Sequence, residues 1–189
     1  MSTTLFLASN SPRRGELLSQ INIEYHRINA SIDETKTTTE TSEQYVQRLA
    51  LEKALAGLTK NNQQGLVLGA DTIVLCDGIV MEKPKDKQHA QQMMTLLSGN
   101  THQVLTAVAL VTDKKQLVKL VTTEVTFKNL TEQEISDYWE TGEPKDKAGG
   151  YGIQGIAGQF VTHISGSYSA VVGLPLYETA QLIKCFKEA

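Results

Sequence analysis

Short apolar runs alternate with amphipathic stretches along the 189-residue chain. Leu5-Phe6-Leu7-Ala8 is followed by Ser9-Asn10-Ser11 and Pro12, which predicts a strand, a turn and a helix with Ser11 as N-cap and Pro12 in its first turn. A second strand is expected over residues 23–28. A polar, Thr-rich stretch over residues 31–41 leads to Thr41-Ser42-Glu43-Gln44, a capping signature for a helix reaching about Leu58. There Tyr45, Leu49 and Lys53 recur at i, i+4 and i+8 beside Val46, Ala50, Ala54 and Gly57, so Lys53 falls at the edge of the buried face. A lone lysine in such a place more often only covers apolar surface with its stem.

Residues 66–70 form the next apolar run, and Asp71-Thr72 is expected at its end. Residues 73–76 and 79–81 flank Asp77-Gly78, a strong hairpin signal. A helix is predicted over residues 86–97, then long antiparallel strands over 104–112 and 117–127, split by Asp113-Lys114-Lys115. Thr131-Glu132-Gln133-Glu134 opens a helix ending at Gly142. A glycine-rich loop over residues 143–155, a strand over 160–164, a small-residue connection and a closing helix over 175–186 complete the chain. Strands and helices alternate without a repeat period, which predicts a single α/β domain over residues 1–189 with a mixed sheet, in preference to a sandwich or a bundle.

Charge and cysteine content narrow the function. Eighteen Lys and Arg against 21 Asp and Glu give a net charge of -3, which argues against a nonspecific nucleic-acid surface but leaves room for a small anion in a cationic cleft. No apolar run approaches the ~20 residues a membrane span requires, and the beginning of the chain lacks a signal-peptide pattern, so the expected location is the cytoplasm. Cys76 and Cys185 have neither metal-ligand spacing nor a disulfide pattern and are read as reduced packing residues. The histidines His26, His89, His102 and His163 lack the companions a zinc site needs. A literal G-x-G-x-x-G occurs at Gly150, Gly152 and Gly155. It is not read as a dinucleotide site, because it follows a helix and leads into a strand, the reverse of the arrangement that motif requires.

What remains is a dispersed set: Ser9, Ser11, Arg13 and Arg14 at the first helix start, Lys53, Asp71 and Lys83. Two cations at a helix N-terminus oppose the macrodipole by ~0.3–1 kcal/mol each, which asks for an anionic partner. A helix N-terminus with guanidinium and ammonium groups suits a polyphosphate. Asp71 alone would more often be a turn residue. Opposite phosphate-binding cations it can bind a divalent cation or deprotonate water, with Asp33 and Glu34 as further metal ligands and Glu82 as a weaker candidate.

Taken in order, Leu7-Ala8-Ser9-Asn10-Ser11-Pro12-Arg13-Arg14, Arg48-Leu49-Ala50-Leu51-Glu52-Lys53-Ala54, Gly69-Ala70-Asp71-Thr72, Glu82-Lys83-Pro84, Ser98-Gly99-Asn100-Thr101-His102-Gln103-Val104 and the segment from Asp146 to Gly155 resemble the Maf family of nucleoside triphosphate pyrophosphatases over nearly the whole chain. The resemblance implies a mixed twisted sheet with flanking helices and a central cleft between two lobes, the fold of inosine triphosphate pyrophosphatases. It implies hydrolysis of a nucleoside triphosphate to the monophosphate and pyrophosphate with Mg²⁺ or Mn²⁺, in a homodimer. Asp71 matches the family's proton acceptor. Arg13, Thr72 and Gln154 match positions linked to base selection, and Ser9, Arg14, Lys53 and Lys83 match phosphate-binding positions. Tyr151-Gly152-Ile153-Gln154-Gly155 looks like the branch acting on dTTP and UTP, and the Gln154 amide has the donor and acceptor to pair with N3–H and O4 of thymine or uracil. The open alternatives are a pyrophosphatase for another or modified nucleotide such as 7-methyl-GTP, and a nucleotide- or DNA-binding regulator of cell division.

Overall fold

The computed structural model describes residues 4–187. They form a mixed α/β structure whose strands are hydrogen-bonded in the order β2-β1-β3-β5-β6-β7, with β4 added to β3. The strands are β1 (Leu5–Ala8), β2 (His26–Arg27), β3 (Leu66–Cys76), β4 (Ile79–Met81), β5 (Thr101–Val111), β6 (Gln116–Phe127) and β7 (Val161–Ser165). The helices are α1 (Pro12–Gln20), α2 (Ser42–Lys60), α3 (Lys87–Leu97), α4 (Glu132–Glu140), α5 (Tyr168–Val172) and α6 (Leu176–Lys187). No helix among the described residues is long and apolar enough to cross a membrane.

The chain divides into two compact units. Among the described residues the first comprises 4–71, 106–121 and 173–187. In it β1 pairs in parallel with β3, from Leu5↔Leu66 to Ala8↔Gly69, and with the two-residue β2 on its other side. Helix α2 starts with the expected capping box, Thr41 accepting the Gln44 N–H while the Gln44 side chain accepts from the Thr41 N–H. It buries Tyr45, Val46, Leu49, Ala50, Ala54 and Leu58, the stripe that the i, i+3, i+4 spacing predicts.

The second unit comprises residues 72–105 and 122–172. Asp77 and Gly78 both have positive φ, 49° and 78°, the signature of the tight turn that matches strand twist in a two-residue hairpin. The core is built from Met94, Leu97, Val125, Phe127, Tyr151 and Phe160 among others. A second capping box starts α4, with Thr131 accepting the Glu134 N–H and Glu134 accepting the Thr131 N–H.

Several elements differ from expectation. Residues 66–76 form one continuous strand, so Asp71 lies within β3 and not at a strand end. The small, β-branched and apolar neighbours carry the extended conformation across Asp71 and Thr72. Only His26 and Arg27 of residues 23–28 are strand; Ile23 N–H instead donates to Leu18 O at 3.0 Å and closes the turn after α1. The closing helix begins at Leu176, and the small-residue connection before it contains α5. Helix α4 stops at Glu140, two short 3-10 turns interrupt the glycine-rich segment, at Glu143–Asp146 and Ala148–Gly150, and a third follows it at Ile156–Phe160. Both cysteines are free, but only Cys76 is buried; Cys185 is exposed on α6.

Candidate active site

The site begins with a close approach of backbones. Gly69, the last β3 residue paired with β1, lies under α2 so tightly that a Cβ there would stand 2.4 Å from Ala50 O and 2.5 Å from Ala54 N. Asp71 follows two residues later, and alternation along a strand points it to the same face as Gly69. Lys53 sits between Ala50 and Ala54 on α2. The absence of a side chain at residue 69 therefore lets Lys53 reach Asp71, and Lys53 Nζ donates to Asp71 Oδ1 at 2.6 Å.

The ammonium group also lies 2.9 Å from Glu34 Oε1. Asp71 is buried at 8% exposure, the Lys53 side chain at 13%, and Glu34 is open at 57%. Burial pushes the Asp71 carboxyl above the ordinary carboxylate range, opposed by the positive charges of Lys53 and Arg14, while Glu34 adds a smaller push upward. Glu34 is held in place through its own backbone, whose carbonyl accepts from the Tyr45 hydroxyl at 2.7 Å. The Thr-rich segment around it is pinned by Arg48, which donates to Glu40 Oε2 at 2.9 Å and Oε1 at 2.8 Å, to Glu52 Oε2 at 3.1 Å and to Thr35 O at 3.0 Å. That bidentate pair holds the Glu40 carboxyl down at about 2.

The start of α1 supplies the remaining cations. Ser11 is the N-cap residue with Pro12 behind it, but its side chain makes no capping bond. The Ser9 hydroxyl oxygen, just past β1, accepts from Ser11 N–H and from Arg14 Nη1, each at 3.2 Å. Arg14 Nε donates to Gly173 O at 2.8 Å. Gly173 has φ 130°, a region that glycine alone enters readily, so a residue 159 positions away orients this guanidinium. Arg13 occupies the same first turn and is half-buried.

Ser9, Arg14, Glu34, Lys53 and Asp71 are thus linked within the first unit, through hydrogen bonds, ion pairs and the field of Arg14 on Asp71. Asp33 is exposed, and its carboxylate accepts the Thr35 N–H at 2.9 Å, closing a local turn. Among the described residues no three His, Cys, Asp or Glu side chains form a cluster able to hold a metal unaided. Asp71 and Glu34 nonetheless offer two hard oxygen donors on one ammonium group, a set that suits a cation completing its shell with phosphate oxygens and water.

Thr72, Lys83 and Gln154 belong to the second unit. Thr72 is half-buried in β3, while Lys83, after β4, and Gln154 are exposed. Gly149 N–H donates to Glu82 O at 3.1 Å, which ties the glycine-rich segment to the residue preceding Lys83. Gly149 has φ 70°, and a Cβ there would meet Val74 Cγ2 at 2.7 Å.

Sequence reasoning missed the Gly173 carbonyl, the Glu40 partner of Arg48 and the close contact at Gly69. Only the i, i+4 spacing of Arg48 and Glu52 carried a local signal. The others depend on pairings that no short-range pattern encodes.

A helix start bearing two arginines, with a lysine joined to a buried carboxylate on the next parallel strand, defines an α/β protein equipped to hold a polyanion beside an acid. The model of the family described as Maf-like protein matches residues 4–186, and the chain belongs to that family. It is 55% identical over 182 residues to the dTTP/UTP pyrophosphatase of Vibrio vulnificus (strain YJ016), covering 96% of this chain and 98% of the relative. It is 54% identical over 185 residues to that of Vibrio parahaemolyticus, covering 98% of each, and 54% identical over 184 residues to that of Escherichia coli O157:H7, covering 97% and 93%. Among solved structures, the Staphylococcus aureus Ham1 protein superposes with a TM-score of 0.47 at 14% identity, over 66% of this chain and 71% of that one.

Proposed function

We propose that this chain hydrolyses dTTP and UTP to the nucleoside monophosphate and pyrophosphate. The observation that carries the reading is the Lys53 ammonium held between Asp71 and Glu34, 2.6 and 2.9 Å away, in a chain whose relatives bear that activity in their names over nearly full length.

In this reading water attacks the α-phosphorus, the bond from the α-phosphorus to the bridging oxygen breaks, and pyrophosphate leaves. Asp71 accepts the proton of the attacking water. Arg14, fixed by Ser9 and Gly173, holds phosphate oxygens in a set orientation at the start of α1. Lys53 neutralises charge beside the reacting phosphate, and Lys83 is a further phosphate-binding cation. Asp71 and Glu34 would hold a divalent cation, Mg²⁺ or Mn²⁺, with Asp33 the next acid on the same segment. Such a cation supplies charge neutralisation and Lewis-acid polarisation when bound. Arg13, Thr72 and Gln154 select the base, with the Gln154 amide matching both N3–H and O4 of thymine and uracil. The activity is assigned to the cytoplasm, where nucleoside triphosphates are plentiful.

The test is phosphate release from a panel of canonical and methylated nucleoside triphosphates, with and without added inorganic pyrophosphatase. Release from dTTP and UTP that needs the added enzyme supports the reading. Release without it signals a phosphatase, and preference for 7-methyl-GTP or binding without turnover would overturn the assignment.

A further inference from the structure

The literal G-x-G-x-x-G at Gly150, Gly152 and Gly155 has an occupant, and it is a side chain of the same unit. The Glu143 carboxylate accepts from the Tyr138 hydroxyl at 2.8 Å, from Ile156 N–H at 2.8 Å and from Ala157 N–H at 3.2 Å. The Tyr138 oxygen in turn accepts Gly152 N–H at 3.3 Å. A Cβ on Gly155 would stand 2.3 Å from Glu143 Oε2, and one on Gly152 would stand 2.7 Å from Lys147 Cε and 3.4 Å from Glu143 Oε1. Lys147 Nζ donates to the Glu143 carbonyl at 2.7 Å and closes the other side. Gly152 and Gly155 thus make room for an internal carboxylate, which the Ile156 and Ala157 amides just after the motif bind.

Gln154 stands between the two tied points, Gly152 and Ile156, and is itself exposed. Gly155 N–H donates to Gly152 O at 3.0 Å, which fixes the backbone turn that presents Gln154. Burial, reinforced by the Glu143 carboxylate, raises the Tyr138 phenol well above its ordinary range, so its proton stays available for this bond.

We infer that Glu143 is a positioning residue for nucleotide selection: its carboxylate, with Tyr138, holds the Gly152–Gly155 turn so that the Gln154 amide meets the base in one orientation. The inference rests on the proposal that Gln154 reads the base. Glutamine at residue 143 would be of equal size, but it offers one acceptor oxygen and an amide donor where Tyr138 O–H, Ile156 N–H and Ala157 N–H all donate.

The experiment is steady-state kinetics with dTTP, UTP, CTP and GTP for the parent, Glu143→Gln, Gln154→Ala and the double variant, each checked for folding by circular dichroism. Glu143→Gln is expected to lower kcat/KM for dTTP and UTP by about 10-fold more than for CTP and GTP, chiefly through KM, the size of one misplaced hydrogen-bonding group. In the Gln154→Ala background it should cost no further selectivity. Tyr138→Phe removes the hydroxyl that joins Glu143 to Gly152 but leaves the bonds from Ile156 and Ala157 to the carboxylate, and should shift selectivity the same way by a smaller factor, which keeps the test open if Glu143→Gln does not fold. Selectivity moved by Gln154→Ala but by neither Glu143→Gln nor Tyr138→Phe overturns the role of Glu143 alone. Selectivity that Gln154→Ala leaves unchanged removes the Gln154 reading, and the inference with it.

Discussion

Gly69 and Ala50 touch backbone to backbone: a Cβ on Gly69 would lie 2.4 Å from the Ala50 carbonyl oxygen. Neither atom of that contact can rotate away, so a side chain at residue 69 must lift α2 from β3 and draw Lys53 off Asp71. Gly69→Ala is expected to cost about 1–3 kcal/mol of stability and, because a shift of ~1 Å at a reacting group is expensive, roughly 10²-fold in kcat. Gly57→Ala provides the comparison. Its Cβ would meet the Ala8 Cβ, which moves only with β1, at 2.8 Å and Val67 Cγ1, which can rotate, at 2.9 Å; neither belongs to the Ala50–Ala54 backbone that carries Lys53, so stability should fall while kcat stays much closer to the parent. Urea unfolding and kcat measured together decide this; equal effects at both glycines would remove the positioning role of residue 69.

Asp71→Asn keeps the shape of the side chain and removes the proton acceptor. A fall of 10²–10⁴-fold in kcat, with KM little changed, is the expected outcome, about the contribution of a general base. An unaltered kcat would take Asp71 out of the chemistry.

Arg14→Lys tests the fork formed by Nε to Gly173 O and Nη1 to Ser9 Oγ. Lysine retains the charge but cannot make both bonds in that geometry. We expect kcat/KM to fall by about 1.5–3 kcal/mol, the worth of hydrogen bonds to a charged group. Full activity in Arg14→Lys would mean that charge alone, without orientation, suffices.

His102 gives the fold a pH dependence. It is 1% exposed, its Nε2 lies 2.8 Å from the Tyr151 hydroxyl, its Nδ1 has no hydrogen-bond partner, and Phe127 and Tyr151 contact the ring edge-on. Burial lowers its pKa to about 4. The unfolded chain takes up the proton near 6.5 and the folded chain only near 4, so the unfolded state binds more protons between those values. Stability is therefore complete above 6.5 and is lost as pH falls toward 4. Between pH 7.5 and pH 5 the loss from this residue is about 2 kcal/mol. Glu40 and Glu134, both held at about 2, add their losses mainly below this window. Urea midpoints at pH 7.5 and pH 5 for the parent and His102→Leu measure the effect, and a leucine variant that keeps the same pH slope would exclude His102 as its source.

Much of this was written locally. The Thr41/Gln44 and Thr131/Glu134 capping boxes, the Asp77-Gly78 turn and the apolar stripe of α2 involve residues at most a few positions apart, so composition and spacing were enough to place them. Lys53 could be assigned to the edge of a buried face for the same reason. Asp71 was legible as a candidate acid but not as an interior strand residue, because whether the strand continues past Ala70 depends on its ladder partners. The glycine motif shows the limit from the other side: its place after a helix and before a strand was enough to set a dinucleotide aside, but no local pattern named Glu143, on a short 3-10 turn seven residues before Gly150, as the group packed against Gly155.

By itself, then, the order of residues determined most of the helices and strands and which faces are apolar, and it singled out a few side chains as candidates for chemistry, since each of these depends on neighbours within one or two turns of chain. Tertiary structure alone decided that Lys53 bridges Asp71 and Glu34, that Gly173 orients Arg14, and that Glu143 fills the glycine loop. Those relationships join groups through strand register and backbone close approach, and both arise only once separate segments have packed.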